Sequence, residues 1–167
     1  MSDFEATLND KLRRNAQLAQ DRDRAEEEMD RAAERAEERL AVEQAEQRRR
    51  QDERHAQLAG RLEQLVSTVR EAAPHIDVRA GWSASGEEYL AKLTTTRVRP
   101  RRSLTIELDR DDDEVLARWH SAVGDSLELY HLLEFDEDML HELVLQVIDD
   151  ELWNRSTTTP PFPGNPA

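Results

Sequence analysis

The pattern of apolar and polar positions changes period once along this chain, at Pro74. Before it, Leu58, Leu62, Leu65, Val69 and Ala72 follow one another at spacings of four and three. Those are the a and d positions of a two-heptad seam. A thinner stripe lies further back, at Leu18, Ala25, Met29, Ala32 or Ala33, Ala36 and Leu40. The two stripes do not share a heptad frame. A 4-4-3 spacing joins them: Ala25, Met29, Ala33, Ala36, Leu40, Gln44, Gln47, Gln51, His55, Leu58, Leu62, Val66, Val69, Ala73. That is an eleven-residue repeat, which supercoils weakly and to the right. The whole stretch from Asp3 to Ala73 has no proline and a single glycine, Gly60, and is built from strong helix formers. It is expected to be one long helix, about 105 Å at ~1.5 Å per residue.

The middle of the repeat is polar: Gln44, Gln47, Gln51 and His55 hold the apolar positions, with Arg48, Arg49 and Arg50 beside them. Polar residues in a seam can set register and partner number. The simpler reading is that residues 43–57 have no buried face and the helix there is solvated, bent or broken. The Leu58, Leu62, Leu65, Val69 seam could pack onto its own C-terminal domain, but it is expected to pair with a second copy, because short regular seams most often close as symmetric dimers.

Beyond Pro74 the period becomes two. Ile76, Val78, Ala80 and Trp82 alternate with polar or small residues, as do Tyr89, Ala91 and Leu93, and Leu104, Ile106 and Leu108. Val115, Ala117 and Trp119 repeat the pattern, then Leu127 and Leu129. Each run is a half-buried strand signature. The connections carry turn residues and are too short for a crossover helix, so five antiparallel strands should form a meander. From Asp136 to Trp153 the period is helical again, with Leu140, Leu143, Val144, Val147 and Ile148 on one face. That face should cover the sheet. Residues 156–167 hold four of the six prolines and read as a disordered or extended, polyproline-like tail. The expected class is therefore α+β. Residues 1–74 form a long N-terminal coiled-coil stalk. Residues 75–155 form a small antiparallel sheet with a covering C-terminal helix.

Charge changes this picture in one respect. The 167 residues include 37 Asp and Glu against 23 Lys and Arg, a formal net charge of −14. All of that excess lies between Glu107 and Glu151. A field of this kind favours a basic partner protein and works against nucleic acid or an anionic membrane. The exception is a loop with Arg97, Arg99, Arg101 and Arg102, a candidate docking loop for a phosphate, a carboxylate or the acidic face of a second copy.

Catalytic motifs are scarce. The absence of cysteine removes disulfides, thiol nucleophiles and thiolate metal sites. Five glycines form no phosphate-binding loop, and no nucleophile elbow is present. His120 and His131, on adjacent predicted strands, could approach one another as metal ligands. Surface or structural roles account for them more simply. Asp111, Asp112 and Asp113 sit in a turn without calcium-loop spacing. No cofactor, metal or enzymatic activity is expected. No apolar run approaches the ~20 residues of a membrane span, and the polar start lacks the layout of a secretory signal. The expectation is a cytoplasmic, non-enzymatic coiled-coil assembly or adaptor protein, a homo-oligomer whose acidic head binds another protein. The alternative is an acidic inhibitor or chaperone that neutralises a basic effector or nucleic-acid-binding protein.

Overall fold

The computed structural model describes residues 2–164. Helix α1 runs without interruption from Ser2 to Ala72, so residues 43–57 are helical throughout. Five strands follow: β1 (Ile76–Trp82), β2 (Glu88–Thr95), β3 (Arg102–Asp109), β4 (Glu114–Ser121) and β5 (Gly124–Tyr130). They form one antiparallel sheet in sequential order, a meander. A 3-10 turn at Leu132–Glu134 leads to α2 (Glu137–Ile148) and the short α3 (Asp150–Arg155). The chain has the α+β architecture read from its periodicities.

The helical ends follow local chemistry. Asp136 caps α2 by accepting a hydrogen bond from the Met139 amide at 2.9 Å, and Glu137 and Asp138 complement the helix dipole. Asp149 ends α2 and caps α3 through the Leu152 amide at 3.1 Å. Pro74 stands just past the end of α1, where it cannot continue the helix.

The chain divides into two compact units, residues 1–47 and 48–167. The division falls inside α1, not at the Pro74 boundary expected between stalk and head. In the first unit every described residue is helical and exposed. In the second unit, α1 supplies Gln51, His55, Leu58, Ala59, Leu62, Val66 and Val69 to the core. These include every position of the 4-4-3 stripe from 51 to 69. The stripe continues past the helix to Ala73, which is also buried.

The sheet is covered on one face. Alternate residues Tyr89, Ala91 and Leu93, then Leu104, Ile106 and Leu108, then Val115, Ala117 and Trp119 point into a single core. Leu140, Leu143, Val144 and Val147 of α2 meet them there, as the helical pattern requires. The favoured expectation is a cover made by the C-terminal helix, with the stalk seam paired to a second copy. In the structure α2 shares the work with residues 51–69 of α1. The reason is area: a 12-residue helix cannot cover five strands, and the Leu58–Val69 face supplies the missing apolar surface.

Part of the proline-rich segment also packs. Phe162 stacks on Trp119 at a centroid separation of 6.5 Å, and the Tyr130 hydroxyl donates to the Pro163 carbonyl at 2.6 Å. Residues 159–163 thus pack against the sheet, where a disordered or extended tail is expected. The end of that expected tail, 165–167, lies outside the described residues.

Candidate functional site

The expected dimer seam is not free. Leu58, Leu62 and Val69 are buried in the chain's own core, and Leu65 is half-buried at its edge. A heptad seam between copies and an amphipathic face on a sheet share the same spacing. The sheet, formed by the same chain, takes the face. The C-terminal half of the polar middle is explained in the same way, while Gln44 and Gln47 are exposed. The His55 ring nitrogen Nε2 lies 3.0 Å from the Leu108 carbonyl, and the Gln51 amide donates to Asp113 Oδ2 at 3.1 Å. These two polar positions are buried because the sheet end meets them with acceptors.

Asp113 gathers several of these contacts. It sits in the β3–β4 turn with φ of 52°. Its carboxylate accepts from the Leu132 amide at 3.0 Å and pairs with His131 Nδ1 at 3.2 Å. An aspartate tolerates this left-handed backbone better than most residues.

The arginine loop splits into two roles. Arg102 is 1% exposed. Its guanidinium donates to the Val147 carbonyl at 2.9 Å, the Pro100 carbonyl at 3.1 Å and Asp150 Oδ1 at 2.6 Å. It also lies 5.6 Å from the centre of the Trp153 ring. Arg102 is therefore a core residue fastening β3 to α2 and α3, and it leaves the docking set. Arg97, Arg99 and Arg101 are exposed. They line an open cavity of about 660 Å³ together with Asn154. None of the three forms an ion pair among the described residues, so their donors face solvent.

The two candidate metal histidines are not brought together. His120 is paired with Asp125, Nδ1 to Oδ1, at 2.8 Å, near the start of β5. His131 follows the other end of β5 and belongs to Asp113. At about 3.3 Å per residue, the length of a strand separates them. Among the described residues no group of three or more His, Asp or Glu is arranged to hold a metal.

Carboxylates crowd the β1–β2 and β3–β4 turns, at one end of the meander. The hydrogen bond between Glu87 and Asp111, and then their charge repulsion, holds the Glu87 carboxyl above its usual range. The same bond, with help from Arg110, holds Asp111 below its own. Asp109 raises Glu88 and Asp112, in each case through a shared hydrogen bond and then its charge.

Two further features escaped the sequence reading. In the first unit, Phe4, Leu8 and Leu12 form an exposed apolar run at spacings of four, and Phe4 is 70% exposed. The signal is visible in the sequence, upstream of the stripe that begins at Leu18. The second feature is the uncovered face of the sheet. An open cavity of about 460 Å³ there is lined by Lys92, Ser103, Thr105, Arg118, His120 and Asp125, among others. Only strand register brings these residues together.

No helix among the described residues is long and apolar enough to cross a membrane. Comparison with protein-family models, with curated proteins and with solved structures gave no match.

Proposed function

We propose that this chain is a non-enzymatic interaction protein of the cytoplasm, an assembly or adaptor module that oligomerises and binds another protein. The observation that carries the reading is the first unit. Residues 2–47 are helical, yet every side chain is exposed, including Phe4, Leu8, Leu12, Leu18, Met29 and Leu40. A helix without a packed face gains little from propensity alone, and most helical stability in proteins comes from burying an apolar stripe. A second helix along this stripe supplies that burial, with a dimer as the simplest closed form. This contact replaces the Leu58–Val69 seam. In the second unit, Arg97, Arg99 and Arg101 present unpaired guanidiniums suited to carboxylates on a partner.

Light scattering on the full chain tests the assembly. The wild type is expected to elute with the mass of two chains, and a Leu8→Asp, Leu12→Asp, Met29→Asp variant with the mass of one. A wild type of single-chain mass at tens of micromolar removes the reading.

A second reading, an acidic inhibitor or chaperone for a basic protein, is favoured by the carboxylate crowding at Glu87, Glu88, Asp109, Asp111 and Asp112. A basic protein docking there would relieve like-charge repulsion and associate quickly at low salt. Under this reading the partner is released by moderate salt and its capture survives the Leu8, Leu12, Met29 substitutions. Under the adaptor reading capture is lost with them.

A further inference from the structure

Each strand of the meander presents alternate residues to the face that the helices leave open. The register aligns these residues into rows across the strands. One row reads Arg79, Lys92, Thr105, Arg118, Leu127 from β1 to β5. The next reads Asp77, Thr94, Ser103, His120, Asp125 from β1 to β5. Lys92 and Arg118 therefore flank Thr105 from the two neighbouring strands, with Ser103 beside it on β3.

Four observations bear on what this arrangement can hold. Lys92 and Arg118 line the cavity of about 460 Å³, and neither lies within ion-pair distance of a carboxylate among the described residues. Ser103 lines the same cavity but is only 4% exposed, so it belongs to the floor. No group among the described residues hydrogen-bonds the Ser103 hydroxyl, and the Thr105 hydroxyl is equally unengaged. Neither is a buried orphan: both hydroxyls reach the cavity and are free to donate to a group held there. Finally, the one carboxylate in the lining, Asp125, is occupied by the His120 imidazole at 2.8 Å and the Ser121 amide at 3.2 Å.

We infer that the open sheet face is a binding site for the phosphoryl group of a small phosphate monoester. An ammonium and a guanidinium stand on either side of two hydroxyls, all unpaired, and no carboxylate but the engaged Asp125 lies in the lining. A dianionic phosphoryl group has three terminal oxygens and can take all four donors; a carboxylate has only two oxygens. The cavity is larger than a phosphate needs, and Leu127 forms an apolar part of its wall against which the organic part of the ester can lie. In a chain of net charge −14 a solitary surface cation attracts anions poorly, so the two cations must act together at short range. This site is separate from the arginine loop and does not depend on the proposed oligomer.

The test is a titration of isotope-labelled full-length protein, followed by amide chemical shifts. Inorganic phosphate, glycerol phosphate, a phosphoserine peptide and acetate are compared at matched ionic strength. Phosphate and glycerol phosphate are expected to give saturable shifts centred on Ser103, Thr105 and Arg118, with acetate much weaker. Lys92→Gln and Arg118→Gln are each expected to weaken binding about tenfold or more, the value of one charge-assisted hydrogen bond. Ser103→Ala is expected to weaken it less, and Arg97→Gln not at all. The two cations are surface residues, so their variants should keep the wild-type amide pattern elsewhere. Absence of saturable shifts, equal response to acetate, shifts confined to the Arg97–Arg101 loop, or binding of the phosphopeptide alone each overturns the inference.

Discussion

Arg102 and its neighbours in the loop show how differently one residue type can be used. Arg102 is enclosed, and its donors satisfy two backbone carbonyls and Asp150. Replacement by leucine leaves those carbonyls without a donor and Asp150 without its cation. Because Asp150 is itself partly exposed, the expected loss is about 2–3 kcal/mol, short of that for a fully buried pair. Arg97→Ala, Arg99→Ala and Arg101→Ala should each stay within about 0.5 kcal/mol of wild type. Urea unfolding midpoints check both expectations; equal losses at all four positions would contradict the division of roles. Nothing in the sequence separates Arg102 from Arg101. What separates them is the first inward position of β3, which points Arg102 at the Val147 carbonyl near the end of α2.

At the scale of elements, α1 contains two differently used lengths of the same helix-forming composition. Leu62 is fully buried against the sheet, so Leu62→Ala should cost about 2–5 kcal/mol. Leu12→Ala removes exposed surface and should cost the folded monomer within about 0.5 kcal/mol. The Leu62 loss should be the same at every protein concentration, because the contact is within one chain; a loss that grows on dilution would return Leu62 to an interface between copies. The repeat from Gln51 to Ala73 was legible as spacing, but the simpler reading leaves residues 43–57 without a buried face, and Gln51 and His55 overturn it. The partner of the repeat was not legible. Periodicity records that a face is buried and carries no information on which surface buries it.

For the molecule as a whole, the C-terminal segment closes one side of the core through Tyr130. Burial pushes the Tyr130 phenol up to about 12, and burial likewise raises Tyr89. In the unfolded chain both phenols lose their protons near 10. The folded state holds those protons to higher pH, so stability is fully present below about pH 10 and falls as pH rises towards 12. Phenolate absorbance should therefore appear late and together with unfolding, since the chain has only two tyrosines. In Tyr130→Phe, which also loses the bond to the Pro163 carbonyl, the alkaline loss should shrink. A phenolate transition near 10 in folded wild type would contradict the packing of residues 159–163.

The sequence by itself determined the class, the five strands, their meander order and the helical face of α2. These follow from local periods of 3.6 and 2, from turn chemistry and from connections too short for any crossover. Only the tertiary structure decided that residues 48–72 join the sheet, that Arg102 is enclosed, that His120 and His131 are held apart, and that Lys92, Ser103, Thr105 and Arg118 share one cavity. Each of these rests on register or on competition between surfaces for the same apolar face. Both are settled by contacts between residues far apart along the chain, which spacing within a segment does not record.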